Sequence, residues 1–384
     1  MEPVRVLHIV ANMNRGGLEN FLMNVYRTID REQIQFDFLV TREIQGVFDE
    51  EICVLGGKIY NIPAMTKVGY WKYKKNVYEF FKAHEAYQIV HCHRDALGGV
   101  YLKQAYKAHV PFRIAHSHTG KIGEPRSIEG IIRSIIKASL KPLLNKYSTQ
   151  RFACGKDAGA WLFGKKYNFQ VINNGVNIEQ YTYSKNIRQE IRQELDIDDQ
   201  SFLLGHVGRF CYPKNHKFLI HMFSQLVQII PQCKLCLVGT GELEEEIKAL
   251  VHKLGLVDKV IFLGVREDVS RLLNAFDLFL FPSLLEGIPV TLIEAQVSGL
   301  SCIVSDKVTE EADLGIQLIE YLPINEVTSW LGTIASRLKE IDELREKRCT
   351  QIDSIRQRGY DSIQTAKYLE TFYTNYSQKE GRMT

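Results

Sequence analysis

No apolar run in these 384 residues approaches the length of a membrane span, which for a helix is about 20 residues. Low-complexity tracts and internal repeats are also missing. The chain opens at once on a strand pattern, Val4 to Val10, with no cleavage region of a secretory signal, so the expected compartment is the cytosol. Its eight cysteines lie mostly inside apolar runs, where a free thiol behaves as a small hydrophobe. Cys233 and Cys236 have the spacing of a zinc or redox pair. No second pair and no histidine pair nearby completes a ligand set, so no metal is expected there.

What is present is the composition of a folded protein, with 45% hydrophobic and 24% charged residues. The length is too great for one core and predicts two domains. The net charge of +3 conceals an asymmetry: residues 1–175 carry 25 Lys and Arg against 15 Asp and Glu, whereas the remainder carries 23 against 30. A basic half beside an acidic one predicts that the first meets something anionic, such as a membrane surface, a phosphorylated lipid or nucleic acid.

In the basic half, Val4 to Val10 reads as a buried strand, and Asn12 to Glu19 as a loop feeding an amphipathic helix through Phe21, Leu22, Val25 and Tyr26. The tandem glycines Gly16 and Gly17 suit close backbone approach to a bound group, or simply a tight turn. Further short strands are expected at Phe36 to Val40, Lys58 to Ile62, Ile89 to His93 and Phe112 to His116, with helical patterns between them such as Val77 to Ala83 and Leu97 to Lys107. Strands alternating with helices predict a doubly wound parallel sheet with its ligands at the strand ends.

Two of those ends carry histidine pairs, His91 with His93 and His116 with His118. Each pair could send one imidazole into the core and the next into a cleft. A zinc cluster is not favoured, because no carboxylate or thiolate spacing accompanies them. Residues 126–146 place Arg126, Arg133, Lys137, Lys141 and Lys146 opposite a face of Ile and Leu, a pattern that serves either a membrane interface or a core helix with a solvated basic face. The segment Lys67 to Lys75, read as a loop, interleaves aromatic and basic residues in a way that suits phosphate or a lipid headgroup surface.

A charged connector, Lys185 to Asp199, precedes a second sheet that starts at Phe202 to Val207. Asp196 and Asp198 have the form of a two-aspartate metal motif, but they lie in that connector and not at a strand-end cleft, so no metal role is expected. Arg209 and Lys214 fall just beyond the strand end with a helix following, where cations neutralise a diphosphate. Gly239-Thr240-Gly241 resembles the start of a dinucleotide fingerprint, but the third glycine's place is taken by Glu244, followed by Glu245 and Glu246, and an acidic helix start repels a pyrophosphate. Strands are further expected at Leu235 to Val238, Val260 to Leu263, Leu278 to Phe281 and Cys302 to Ser305. Two glutamates, Glu286 and Glu294, frame the turn after Phe281. The terminal stretch Asp361 to Ser377 has helical spacing and is expected to pack outside its own domain.

Taken in order, Gly16-Gly17-Leu18-Glu19, Ile89 to His93, Asn173-Asn174-Gly175-Val176, Gly208-Arg209 with Lys214-Asn215, Val238 to Gly241, Phe262-Leu263-Gly264, and Glu286 with Glu294 after Pro282-Ser283 resemble glycosyltransferase family 4 over nearly the whole chain. The resemblance is greatest to bacterial members that build exopolysaccharide. It implies the GT-B fold: two Rossmann-like doubly wound α/β domains facing across a cleft, residues 1–177 for the acceptor and 178–360 for the nucleotide-sugar donor, with a C-terminal helix of about 361–384 crossing back to the first.

By the same resemblance, Arg209 and Lys214 hold the diphosphate, Glu294 accepts from ribose hydroxyls, Glu286 faces the donor sugar, and His118, or His116 in the other register, is the cleft histidine. Gly16, Gly17, Asn215, Gly239, Gly241, Val265, Gly287, Ile288, Pro289 and Val290 are implied on the donor side, and Glu19, His93, His116 and Asn174 on the acceptor side. The implied reaction is retaining transfer of a hexose or N-acetylhexosamine, from a UDP-sugar by preference, to a lipid-diphosphate-linked saccharide. Neither a metal nor another cofactor is implied, because Arg and Lys supply the charge. The implied setting is cytoplasmic and peripheral on the inner face of an anionic membrane, with no nucleic-acid partner. A catalytically silent subunit of an assembly complex is the alternative, against which the intact cations and glutamates speak.

Overall fold

A computed structural model describes residues 2–118 and 128–380. The chain divides into two compact units, one formed by 1–175 together with 359–384 and the other by 176–358.

The first unit is built on seven parallel strands: β1 (Val4–Ile9), β2 (Ile34–Val40), β3 (Ile59–Asn61), β4 (Ile89–Cys92), β5 (Phe112–Ser117), β6 (Gln150–Ala153) and β7 (Gln170–Val171). Their spatial order is β3-β2-β1-β4-β5-β6-β7, so the strand order reverses between β1 and β4. Such a switch point opens a crevice outside the carboxyl ends of the strands. Both faces of the sheet are covered, which is why β2 is buried along its whole length and reads as Ile, Phe, Phe, Leu and Val around a single ion-paired Asp37. On one face Phe21, Leu22, Val25 and Tyr26 of the helix Gly17–Thr28 pack beside Ala366, Leu369 and Tyr373 of the C-terminal helix Ser362–Glu380. That helix therefore belongs to the first unit, as expected.

The second unit has six parallel strands: β8 (Phe202–Val207), β9 (Cys233–Val238), β10 (Val260–Phe262), β11 (Leu278–Phe281), β12 (Cys302–Ser305) and β13 (Ile319–Leu322). The order β10-β9-β8-β11-β12-β13 puts its switch point between β8 and β11. Cys233 and Cys236 sit in the layers on opposite faces of this sheet, as residues an odd number apart on a strand must, so they cannot chelate together. Asp277, at the foot of β11, is fully buried and gathers Arg188 at 2.7 Å, Arg345 at 2.9 Å and Arg192 at 3.3 Å.

Both units are the expected doubly wound parallel sheets. Three strands lie outside the sequence reading, β6, β7 and β13. They are short and carry polar or half-exposed residues, so neither hydrophobic alternation nor a continuous apolar run marks them. The reading of 67–75 as a loop is corrected: Met65–Val68 and Tyr70–Ala83 are helices joined at Gly69, which takes a φ of 76°. Tyr73, Val77, Phe80 and Phe81 bury one face of the second helix, and this packing overrides the run of bulky aromatics at its start.

Candidate functional site

In the second unit the loops after β8 and β11 are tied to each other at the switch point. Asn215 takes the left-handed conformation between the short 3₁₀ turn Tyr212–Lys214 and the helix His216–Ile229, and its Nδ2 donates to the carbonyl of Pro282 at 3.2 Å. The backbone N–H of Leu284 donates to the carbonyl of Pro213 at 2.7 Å. These two bonds place Lys214 against the turn that follows β11.

There the Lys214 ammonium lies 2.7 Å from Glu286 Oε1 and 4.6 Å from the centre of the Phe281 ring. The two charged side chains are only 16% and 14% exposed. The contact is an ion pair without hydrogen-bond alignment, so Glu286 Oε1 keeps an unmatched lone pair. Ser283 Oγ, Thr291 Oγ1 and both ring nitrogens of His216 are likewise buried without a hydrogen-bond partner. Unmatched buried polar groups are uncommon in folded proteins, and several lie on this turn and its neighbours. Such a turn is suited to a polyhydroxylated or phosphorylated ligand. His206 and His216 are kept neutral by burial, His216 being pulled down to about 4, and the Lys214 charge acts in the same direction.

Glu294 stands in the helix Val290–Val297, whose first position follows Pro289. Its carboxyl is buried and pushed up to about 7 by desolvation, against which a hydrogen bond from the Tyr181 hydroxyl at 2.7 Å pulls it down. Gly287 and Ile288 line the half-buried turn before that helix, and Val265 is exposed after β10. Arg209 is not brought to Lys214's carboxylate: its guanidinium is 71% exposed and pairs with Glu242 at 2.9 Å. Gly239 and Gly241 have a packing reason of their own. A Cβ at Gly239 would run into the carbonyl of Gly208, and one at Gly241 into that of Phe210, where the loops after β8 and β9 are laced together. Gly239 also has a φ of 129°, a region left to glycine.

In the first unit the histidine pairs come together in one cluster. His91, His93, His116 and His118 lie on one face, as residues two apart on a strand do, and they stack together with His8 of β1. His8 Nδ1 is 3.0 Å from His93 Nε2, His93 Nδ1 is 2.8 Å from His118 Nε2, and His91 Nε2 is 3.1 Å from His116 Nδ1. The Tyr373 hydroxyl lies 2.7 Å from His91 Nδ1. Burial holds all five rings neutral, His8 and His118 being lowered to about 3. Asn174 interacts with His118 and opposes that lowering. His116 is almost fully buried, whereas His118 is the partly exposed member of its pair. Gly16 caps the helix Gly17–Thr28 in an extended conformation, and a Cβ there would strike the carboxylate of Glu19, whose pKa is raised by burial.

Tyr181, His8, His206, His216, Ser283 and Thr291 were not foreseen. Tyr181 is 113 positions from Glu294 and His8 is 85 from His93, and no local spacing signals such contacts. Asp198 accepts from the backbone N–H of Ser201 at 2.7 Å and so shapes a turn. Arg126 of the basic segment lies outside the described residues, as do the side chains of Glu129, Ile131, Ile132 and Arg133. In the helix Ile128–Tyr147, Lys141 is held by the Trp161 carbonyl and ring, while Ile135 and Ile136 are exposed. Among the described residues no helix is long and apolar enough to cross a membrane.

A sequence model described as "Glycosyl transferases group 1" matches residues 187–314. Over 98% of both chains, the sequence is 35% identical to the "Putative glycosyltransferase EpsF" of Bacillus subtilis (strain 168). It is 32% identical, over 38% of each chain, to the Escherichia coli UDP-Gal:alpha-D-GlcNAc-diphosphoundecaprenol alpha-1,3-galactosyltransferase. Among solved structures, Anabaena HepE in complex with UDP-glucose superposes with a TM-score of 0.76, covering 97% of this chain and 99% of that one at 19% identity.

Proposed function

The chain belongs to the group 1 glycosyl transferases, with the GT-B fold, and from that premise we propose that it moves a hexose or N-acetylhexosamine from a UDP-sugar to a lipid-diphosphate-linked saccharide in exopolysaccharide assembly. The observation that carries this reading is the Lys214 and Glu286 pair at the β8/β11 switch point, ringed by unmatched hydroxyl and imidazole groups. A sugar supplies hydroxyl donors for the free lone pair of Glu286, and a diphosphate supplies the anion for Lys214. The complex of HepE with UDP-glucose and the diphosphoundecaprenol acceptor in the galactosyltransferase's name support the donor and acceptor classes.

In this reading Glu294 accepts from the ribose hydroxyls and Lys214 stabilises the charge that develops on the departing diphosphate. Arg209 reaches that diphosphate by leaving Glu242, an exposed pair that costs little to open. The acceptor hydroxyl attacks the anomeric carbon from the side the diphosphate leaves. The C–O bond to the donor phosphate breaks, the new glycosidic bond forms, and the hydroxyl proton passes to a phosphate oxygen. Configuration is retained without a protein nucleophile. Lysine and arginine supply the positive charge, so the transfer needs no metal. His118, Glu19 and Asn174 belong to the acceptor-bearing unit.

Peripheral membrane contact is part of the proposal. Trp71 is 76% exposed beside Lys74, with Tyr70, Lys72 and Lys75 on the same helix, and Ile135 and Ile136 are exposed near Lys137. The test is a transfer assay with UDP-, GDP- and ADP-sugars and a polyprenyl-diphosphate-linked saccharide. Product with an inverted anomeric centre, or no product and no thermal stabilisation by any of these donors, would overturn the reading.

A further inference from the structure

Four buried imidazoles and a fifth, partly exposed one in mutual contact are far more than a sheet core requires, and their nitrogens are not arranged at random. One nitrogen from each of His93, His116 and His118 lies within 4.8 Å of the other two. The other contacts show which nitrogens are engaged elsewhere and which are not. His93 Nδ1 faces His118 Nε2 at 2.8 Å, while His93 Nε2 is engaged by His8 at 3.0 Å. His116 Nδ1 is engaged by His91 at 3.1 Å, which leaves its Nε2 buried and without a partner.

We propose that His93 Nδ1, His116 Nε2 and His118 Nε2 form a tri-imidazole site for a borderline transition-metal cation such as Zn²⁺. Three histidines with a fourth position open is an established ligand set for that ion. Metal-bound histidines donate their other N–H to an acceptor that fixes the ring, and His93 and His116 each have one in place. His93 Nε2–H donates to His8 Nδ1. His116 Nδ1–H donates to His91 Nε2, whose own Nδ1–H donates to the Tyr373 hydroxyl. Asn174 acts on the His118 ring, and His118 Nδ1 and Asn174 Oδ1 are both buried and otherwise unmatched. With a cation taking the three remaining lone pairs, one set of tautomers satisfies the contacts that His93 and His116 make with His8, His91 and Tyr373. Without it, the N–H or lone pair of His116 Nε2 stays unmatched in the core.

Ligand nitrogens about 2.0–2.1 Å from a tetrahedral zinc stand somewhat further apart than the 2.8 Å between His93 and His118, so a small opening of these two rings suffices. A second triad, His8, His91 and His93, is deeper. The outer one includes the partly exposed His118 and so offers the ion a way in. Occupancy withdraws His118 from any contact with a saccharide, so the metal acts as an inhibitor and not as a cofactor. This last step rests on the acceptor-side reading of His118; the binding itself does not.

The experiment uses the full chain, free of an affinity tag and stripped of metal by dialysis against chelator. Zn²⁺ is titrated calorimetrically and Co²⁺ is followed by its visible ligand-field bands. One ion per chain with tetrahedral cobalt bands is expected. Affinity should fall at least tenfold in His116→Gln and in His118→Asn, fall within the tenfold to hundredfold range of outer-shell changes in Asn174→Ala, and stay unchanged in His221→Gln, an exposed histidine elsewhere. His118→Asn alters the least buried ring, so it serves if His116→Gln fails to fold. No binding, or binding indifferent to His118 and Asn174, overturns the site. Binding with undiminished sugar transfer leaves the metal site standing and overturns the inhibitory role of His118. Loss of transfer with unchanged UDP affinity supports both.

Discussion

The Tyr181 hydroxyl donates at 2.7 Å to Oε1 of Glu294, a carboxyl that burial pushes up to about 7. Because the folded state keeps this proton above the ordinary carboxylate value of 4.5, the group's contribution to stability is complete below pH 4.5 and is lost as pH rises through 7. The loss amounts to about 3 kcal/mol for a shift of this size. In the same unit His216, lowered to about 4, acts oppositely: its contribution is present above pH 6.5 and is lost as pH falls through 4. The difference between wild type and Glu294→Gln isolates the first effect. Glu294→Gln is expected to gain stability relative to wild type between pH 5 and pH 8 in urea melts; a pH-independent difference would place the carboxyl's pKa near its ordinary value.

A donor nucleotide whose ribose hydroxyls need an acceptor favours the ionised form of Glu294. UDP binding near pH 6.5 is therefore expected to release a proton. Calorimetry in two buffers of different ionisation enthalpy measures that release, and Glu294→Gln should abolish it while weakening UDP. Unchanged proton balance in the variant would remove Glu294 from the nucleotide.

Lys214→Ala should lower kcat by about 10²–10³, the usual cost of deleting one preorganised donor to a developing anion. Glu286→Gln keeps the shape of the turn and leaves Lys214 without its carboxylate, so a drop in transfer with little change in UDP affinity is expected. Full activity in both variants would sink the proposed chemistry of this turn. Arg209, exposed and paired with Glu242, should matter less to stability than either: Arg209→Ala should melt within about 0.5 kcal/mol of wild type, as surface changes do.

Asp277 tests the fold and not the chemistry. Its carboxylate is buried, takes three arginines and also accepts from the backbone N–H of Leu203 at 2.8 Å. Removing it leaves Arg192, itself 3% exposed, without its counter-charge, and breaking such a pair costs about 3–5 kcal/mol. Asp277→Ala should unfold at correspondingly lower urea concentration. A change below about 1 kcal/mol, the scale of exposed ion pairs, would mean that the arginines find water.

The same contrast explains what the sequence disclosed. Continuous apolar runs such as Leu278 to Phe281 exposed most of both sheets, because a strand covered on two faces has no room for polar residues. Gln150–Ala153 and Ile319–Leu322 lack that mark. Lys214 and Glu286 were each visible beside a turn, but their pairing depends on the Asn215 to Pro282 bond across 67 residues. His8 looked like any strand residue, and only the β1/β4 register sets it opposite His91. Local spacing carries the elements, while register and loop ties carry the site.

Membrane contact is the remaining prediction. The helix Tyr70–Ala83 exposes Trp71 with Lys74 at 5.2 Å from its ring, and Lys75, Tyr78, Gln104 and Lys107 line the groove beside it. Each lysine close to an anionic bilayer contributes about 1 kcal/mol, and salt screens the attraction over roughly 10 Å. Wild type should therefore co-sediment with vesicles containing phosphatidylglycerol at low salt and less with phosphatidylcholine alone. Reversing two charges in Lys74→Glu/Lys75→Glu should lower the partition coefficient by at least tenfold, and Trp71→Ser should lower it without removing the salt dependence. Trp71, Lys74 and Lys75 belong to the first unit and the Lys214 turn to the second, and transfer to a water-soluble acceptor analogue should be retained. Equal recovery of wild type and the double variant in the supernatant would place the membrane-facing surface elsewhere.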